Sequence, residues 1–342
     1  MLRMAILGVG WAGTRQTQAA QELGHKVVVD CLVDRDEAFL REKAAELGID
    51  KTYTDVDEAL ADPEVDAVSI CLPHNLHHPV TLQAAAAGKH VLVEKPIAMT
   101  VDEATAMIDA TQEAGVALYV AENAVYTPMC RTLRHMVQTQ EPMGELTFAA
   151  LTTGFHAPDY GYPGRRSWLS TPEEGGSGVW LLNGIHTVAK LRYVLGEVET
   201  VYMGEHKATN FRRRDVEGTM SGLFTLESGV QVWLVQSPET RLRGLLAGFR
   251  LHGVEGTVLG AEEGYALLLN DDDMESVAWH PYPEQALSSY ALELESFADY
   301  VAGAAVGPTT AESERRSLAV VQAGYESAAS GQPVHLRERF GL

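Results

Sequence analysis

The chain has 342 residues, with 26 Lys+Arg against 47 Asp+Glu, a net charge of −21. At 46% hydrophobic and 21% charged, it has the composition of a globular protein and not of a disordered one. The negative field repels phosphate backbones and anionic lipid surfaces, which argues against nucleic acid or a membrane as partner. Its length suggests about two domains.

From Arg3 to about Ala121, strand-like and helix-like runs take turns. Arg3–Val9 reads as a buried strand, followed by a helix through Leu23 and a Val-rich strand over Lys26–Val33. Glu37–Leu47 carries Phe39, Leu40, Ala44 and Leu47 on one helical face, and Gly48 suits its C-terminal cap. Asp55 and Glu58 open a short helix that stops before Pro63. Val65–Leu72 is a strand, Pro79 sits in the first turn of a helix ending at Gly88, and His90–Glu94 is a strand. Thr100 with Glu103 caps a helix ending at Gly115, and Val116–Ala121 is a further strand. Such strict alternation implies a parallel sheet with helices on both faces, which binds ligands beyond the carboxyl ends of its strands.

From about residue 123 the pattern changes. Thr147–Gly154, Val198–Asn210, Glu217–Leu226 and Val230–Gln236 read as strands, with a hairpin turn at Glu227–Gly229. Met220, Phe224 and Leu226 share one face, while Thr219, Ser221 and Thr225 share the other. That alternation fits an antiparallel sheet with one face off its own core. Ser289–Gly331 is helical, and Asp271–Asp273 reads as a solvated hairpin tip. Cys31, Cys71 and Cys130 show no C-x-x-C spacing. A reducing compartment and no zinc site are expected. With no apolar run near the ~20 residues of a membrane span and no leader-like N-terminus, a cytoplasmic protein is expected.

Gly8-Val9-Gly10-Trp11-Ala12-Gly13 is a G-x-G-x-x-G between a strand and a helix. The first glycine permits the turn, the second admits a pyrophosphate, and the third lets helix and strand pack closely. Asp34 ends the next strand about 20 residues on, where a carboxylate accepts hydrogen bonds from an adenosine ribose. NAD is favoured, with NADP kept open by Arg35, whose guanidinium could hold a 2′-phosphate. Lys95, in Glu94-Lys95-Pro96, follows a parallel strand and is placed for proton work.

These segments, with the Pro73…His77 pair and Ala87-Gly88-Lys89-His90-Val91, resemble the Gfo/Idh/MocA family of NAD(P)-dependent oxidoreductases. Gly175-Gly176-Ser177-Gly178…Gly184-Ile185-His186 is similar to its second signature, and Gly253–Gly256 to its G-T-E-G turn. The resemblance implies an α/β Rossmann domain over residues 1–122. It also implies an α+β substrate-binding and oligomerisation domain over 123–342, with a large open, mainly antiparallel sheet. Cofactor contacts would come from Gly8, Gly10, Trp11, Ala12, Gly13, Asp34, Arg35, Leu72, Pro73, His77, Glu94 and Lys95. Lys95 and His186 match the family's catalytic pair, and the Lys-Pro bond is often cis there. Substrate contacts are expected from Tyr126, Arg166, Trp168, Asn183 and His186, with Arg165, Asp159 and Tyr160 nearby. No metal is expected.

Two departures stand out. Leu182 and Ala189 occupy positions where the family usually has Asp. Leu182 cannot orient an imidazole, and Asn183 can hydrogen-bond but not titrate. The expected activity is hydride transfer between NAD(P) and a ring hydroxyl or carbonyl of a sugar, cyclitol or sugar derivative, in a crevice between the two domains. The alternatives are glycoside cleavage or epimerisation with a transient redox step, and a non-catalytic dinucleotide sensor. A homodimer or homotetramer through the C-terminal sheet is implied.

Overall fold

A computed structural model describes residues 1–154, 167–169, 171–176, 178–208, 217–273 and 277–342. The chain forms two compact units. The first joins Met1–Tyr126 to Tyr162–Gly176 and Ala286–Leu318; the second joins Thr127–Gly161 to Ser177–Gln285 and Ala319–Leu342.

The chain begins with β1 (Leu2–Leu7), α1 (Trp11–Leu23), β2 (Val27–Val33), α2 (Glu37–Leu47), β3 (Thr52–Tyr53), α3 (Val56–Ala61) and β4 (Ala67–Ile70). A 3-10 turn at His74–Leu76 precedes α4 (His77–Ala86), β5 (His90–Glu94), α5 (Val101–Ala114) and β6 (Leu118–Ala121). Local chemistry sets these limits. Asp36 caps α2 by accepting from Phe39 N at 3.1 Å. Thr100 and Glu103 form a reciprocal capping box, each side chain accepting from the other's backbone N–H at 3.2 Å. All six strands are parallel, in the order β3-β2-β1-β4-β5-β6. Every residue of β4 and β6 is buried, as a sheet covered on both faces requires. The order reverses at β1 and β4, the switch point where such sheets take ligands. Strand β3 leaves no mark in the sequence, because two residues are too few to show a period.

The second unit begins with α6 (Pro128–Thr139) and β7 (Leu146–Gly154). The four-residue α7 (Pro172–Gly175) belongs to the first unit. A π-helical turn at Trp180–Gly184 runs into α8 (Ile185–Leu195), then β8 (Val198–His206), β9 (Thr219–Leu226) and β10 (Gln231–Ser237). Next come β11 (Gly248–Gly253), β12 (Gly256–Ala261), β13 (Gly264–Leu269) and β14 (Ala278–His280). The chain closes with α9 (Ser289–Val301), α10 (Ala311–Ser330), β15 (Val334–His335) and α11 (Leu336–Phe340).

The nine-stranded sheet has the order β14-β13-β12-β11-β7-β10-β9-β8-β15. Only β7 and β10 run parallel; the other neighbours are antiparallel. Met220, Phe224 and Leu226 are buried, while Thr219, Ser221 and Thr225 are not. One register row across the sheet runs Tyr202, Leu223, Trp233, Ala150, Arg250, Leu259, Ala266, Trp279, exposed at Tyr202, Trp233 and Trp279 and buried at Ala266. Trp233 is 66% exposed and Tyr202 51%. Asp271, Asp272 and Asp273 lie exposed beyond β13.

Helix α9 belongs to the first unit. Its Ala291, Leu294 and Phe297 join the core of Met4, Ile6 and Leu23. Lys26 bridges Glu295 at 2.8 Å and Asp299 at 2.9 Å.

Candidate active site

The glycine loop is read most directly from space. A Cβ on Gly13 would stand 2.0 Å from Gly8 O, and one on Gly8 (φ +91°) would stand 2.5 Å from Cys71 O. Both glycines are therefore demanded by the protein's own packing. Gly10 differs: nothing lies within 4 Å of its Cβ position. Beside it α1 starts without a side-chain cap and without an acidic residue in its first turn. An uncapped helix N-terminus with open space before it suits a pyrophosphate. At the end of β2, the 8% exposed Asp34 accepts from Val9 N at 3.3 Å and Asp36 N at 3.1 Å. Its carboxylate thus ties the glycine loop to the ribose end of the cradle. Arg35 is exposed, and Trp11 is 58% exposed, edge-on to Tyr290 at 6.2 Å. These residues fit a dinucleotide.

Lys95 follows β5, and the Lys95–Pro96 peptide is cis. His77 holds this turn: its Nδ1 lies 2.8 Å from Pro96 O and its Nε2 3.0 Å from Leu72 O. Burial lowers its pKa to about 4, so the neutral ring has one N–H for two carbonyls. Leu72 and Pro73 are half-buried beside it. His74, 3% exposed, sets its Nδ1 2.8 Å from Gly175 O and stands edge-on to Trp168 at 4.8 Å. Burial, then His77 and Lys95, keep His74 well below the usual histidine range. Trp168 is half-buried. Tyr126 is 7% exposed, with its hydroxyl 2.8 Å from Tyr119 Oη and 3.3 Å from Thr309 Oγ1.

In the second unit, Asn183 and His186 are half-buried, three residues apart across the π-turn and α8. The buried Trp180 organises this segment. Gly184 is needed because a Cβ there would stand 2.3 Å from the Trp180 ring. Trp180 Nε1 donates to Val321 O at 2.9 Å. Glu217, buried, accepts from Trp180 N and, at 3.1 Å, from the Tyr325 hydroxyl. That hydroxyl accepts from Leu181 N at 3.1 Å. Burial pushes the Glu217 carboxyl up to about 7. Leu182 and Ala189 are both buried.

The structure therefore gathers Lys95, His77 and Trp168 in the first unit, and Asn183 and His186 in the second. Arg166, with Arg165, Asp159, Tyr160 and Ser177, lies outside the described residues. Sequence reasoning missed Trp180, Glu217 and Tyr325. The four-residue spacing of Trp180 and Gly184 is a usable signal for the first; Glu217 and Tyr325 carry none. Among the described residues no group of three or more His, Cys, Asp or Glu could hold a metal ion, and no helix is long and apolar enough to cross a membrane.

Residues 2–122 match the oxidoreductase family with an NAD-binding Rossmann fold, and residues 130–259 match the GFO/IDH/MocA C-terminal domain. The chain is 30% identical over 299 residues to 1,5-anhydro-D-fructose reductase of Ensifer adhaerens, covering 86% of each chain. It is 29% identical over 345 residues to D-xylose 1-dehydrogenase (NADP(+)) 2 of Haloferax volcanii, covering 98% of this chain and 100% of that one. A levoglucosan dehydrogenase solved in complex with NADH and levoglucosan shares the fold, with a TM-score of 0.85 at 19% identity over 98% of this chain and 99% of the other. By sequence and by fold, this chain belongs to the Gfo/Idh/MocA family of oxidoreductases.

Proposed function

We propose that the protein is an NAD(P)-dependent dehydrogenase acting on a ring hydroxyl or carbonyl of a sugar, cyclitol or sugar derivative. The observation that carries this reading is the glycine cradle, open at Gly10, in the same unit as Lys95 at the end of a parallel strand. Bound NAD(P) supplies the hydride acceptor. In the oxidative direction, Lys95 polarises the carbinol oxygen and His186 takes its proton as the C–H hydride departs. Asn183 positions a substrate hydroxyl, Trp168 offers a ring face, and Arg166 supplies a charged fork. Tyr126 serves as a wall, its hydroxyl being engaged within the first unit. The sugar named in each curated relative supports the substrate class.

NAD is the cofactor proposed, because Asp34 stands where a 2′-phosphate would be repelled; NADP would use Arg35. We assign 1–122 to the cofactor and 123–342 to substrate binding and oligomerisation. The open sheet face, with Trp233 and Tyr202 exposed, supports a homodimer or homotetramer. The three cysteines form no disulfide, which supports a cytoplasmic location.

Lys95→Ala is expected to lower kcat about 10²–10⁴-fold on whichever carbohydrate of a panel reduces NAD(P), while dinucleotide binding persists. Full turnover by that variant would sink the assignment. Leu182 favours a second reading, a dinucleotide sensor without turnover. That reading gains if cofactor binds and no substrate of the panel is oxidised or reduced.

A further inference from the structure

Three side chains far apart in sequence meet inside the first unit. Gln16 lies on α1, Glu94 ends β5 and Glu293 lies on α9. A single nitrogen, Gln16 Nε2, donates to Glu293 Oε1 at 3.0 Å and to Glu94 Oε1 at 3.4 Å. Gln16 and Glu293 are wholly buried, and Gln16 Oε1 and Glu293 Oε2 have no hydrogen-bond partner among the described residues. The amide's two hydrogens thus serve one carboxyl each. Two carboxyls that share one nitrogen donor are close, and their like charges oppose joint ionisation.

The surroundings are mostly acidic. Glu122 follows β6 and Glu314 lies on α10, both buried. The Tyr290, Tyr119 and Cys71 side chains also feel this charge, and Arg15 acts on Tyr290 from α1. Lys95 is the cation that favours ionised Glu94.

We infer that Glu94 and Glu293, bridged by Gln16, divide their protons unequally, Glu293 keeping its own so that Glu94 carries the charge facing Lys95, which makes Gln16 and Glu293 positioning residues for that lysine. The inference rests on the reading of Lys95 as the active-site lysine. Burial, then the charge of Glu94, holds the Glu293 carboxyl well above its usual range. Burial against the pull of Lys95 brings Glu94 up to about 7. Above neutrality Lys95 faces a carboxylate; below, it faces a neutral acid.

Infrared difference spectra of the full chain, without cofactor, read the proton directly. The wild type keeps a protonated-carboxyl C=O band at about pH 8.5, far above the ordinary carboxyl range, and Glu293→Gln loses it. Gln16→Leu gives a second handle that alters no charge. Glu94 loses a donor to its ionised form, so the acid limb of kcat/KM moves up by about one pH unit, a shift that a packing defect alone would not produce. Absence of the band from the wild type, or its survival in Glu293→Gln with an unmoved limb in Gln16→Leu, overturns the proton pair. A fully active Lys95→Ala that retains the band overturns the lysine's role and leaves the pair standing.

Discussion

The two sheets of this protein solve opposite problems. In the six-stranded sheet β4 and β6 are buried at every position, so side chains there serve the core, Tyr119 through its ring and its hydroxyl's bonds alike. The residues proposed for chemistry sit at the carboxyl ends of the strands: the glycine loop after β1, Asp34 after β2 and Lys95 after β5. In the nine-stranded sheet burial alternates: β10 buries Val232 and Leu234 while Trp233 stands out. A parallel sheet covered on both faces leaves the carboxyl ends of its strands for ligands, whereas a half-covered antiparallel sheet leaves a whole face uncovered.

The largest effect is expected at the glycine loop. Gly13→Ala forces a Cβ against a backbone carbonyl that has little freedom to yield. It should cost at least the about 1–3 kcal/mol of ordinary overpacking, measured by denaturant unfolding. Gly10→Ala should leave stability within about 0.5 kcal/mol and weaken dinucleotide binding at least about tenfold by calorimetry. Equal losses of stability in both variants would refute the distinction between a packing glycine and a ligand glycine.

A smaller, pH-dependent effect is expected at Glu217 in the second unit. Unfolded, this carboxyl ionises near its ordinary value of 4.5; folded, it keeps its proton up to about 7. The folded state therefore binds more protons between those values, and stability falls as pH rises through that window. Glu217→Gln should remove that slope, gaining at most about 3 kcal/mol over wild type above pH 7, read as a widening Tm difference. A constant difference from pH 4.5 to 8 would contradict it.

The smallest change in stability is expected on the open face. Trp233→Ser should alter unfolding by no more than about 0.5 kcal/mol, yet reduce the subunit count in sedimentation. A variant that keeps the wild-type count would show that this face is not the association surface.

What could be read from the sequence was local. The capping box at Thr100 and Glu103, the glycine loop and the hairpin at Glu227–Gly229 each lie within a few residues, where steric and hydrogen-bonding rules act alone. Most strand limits shifted by one or two residues, as fraying ends do, but β8 ends at His206, four residues before its expected limit. The helical stretch over Ser289–Gly331 proved to be two helices, α9 and α10. Gln16 finds Glu293 across 277 residues, and Glu217 reaches Trp180 across 37. Neither partner has a periodicity or spacing that announces the other, so these contacts exist only once the chain has folded.

The return of Ala286–Leu318 to the first unit has a consequence for biosynthesis. Helix α9 covers α1 through Leu294 and Phe297 and brings Glu293 to Gln16. The amino-terminal residues therefore cannot complete their core when they leave the ribosome. At roughly 5–20 residues per second, that core waits on the order of ten to forty seconds for its last helix. During that interval the nascent chain exposes an apolar surface that a chaperone can hold, although the finished fold buries it.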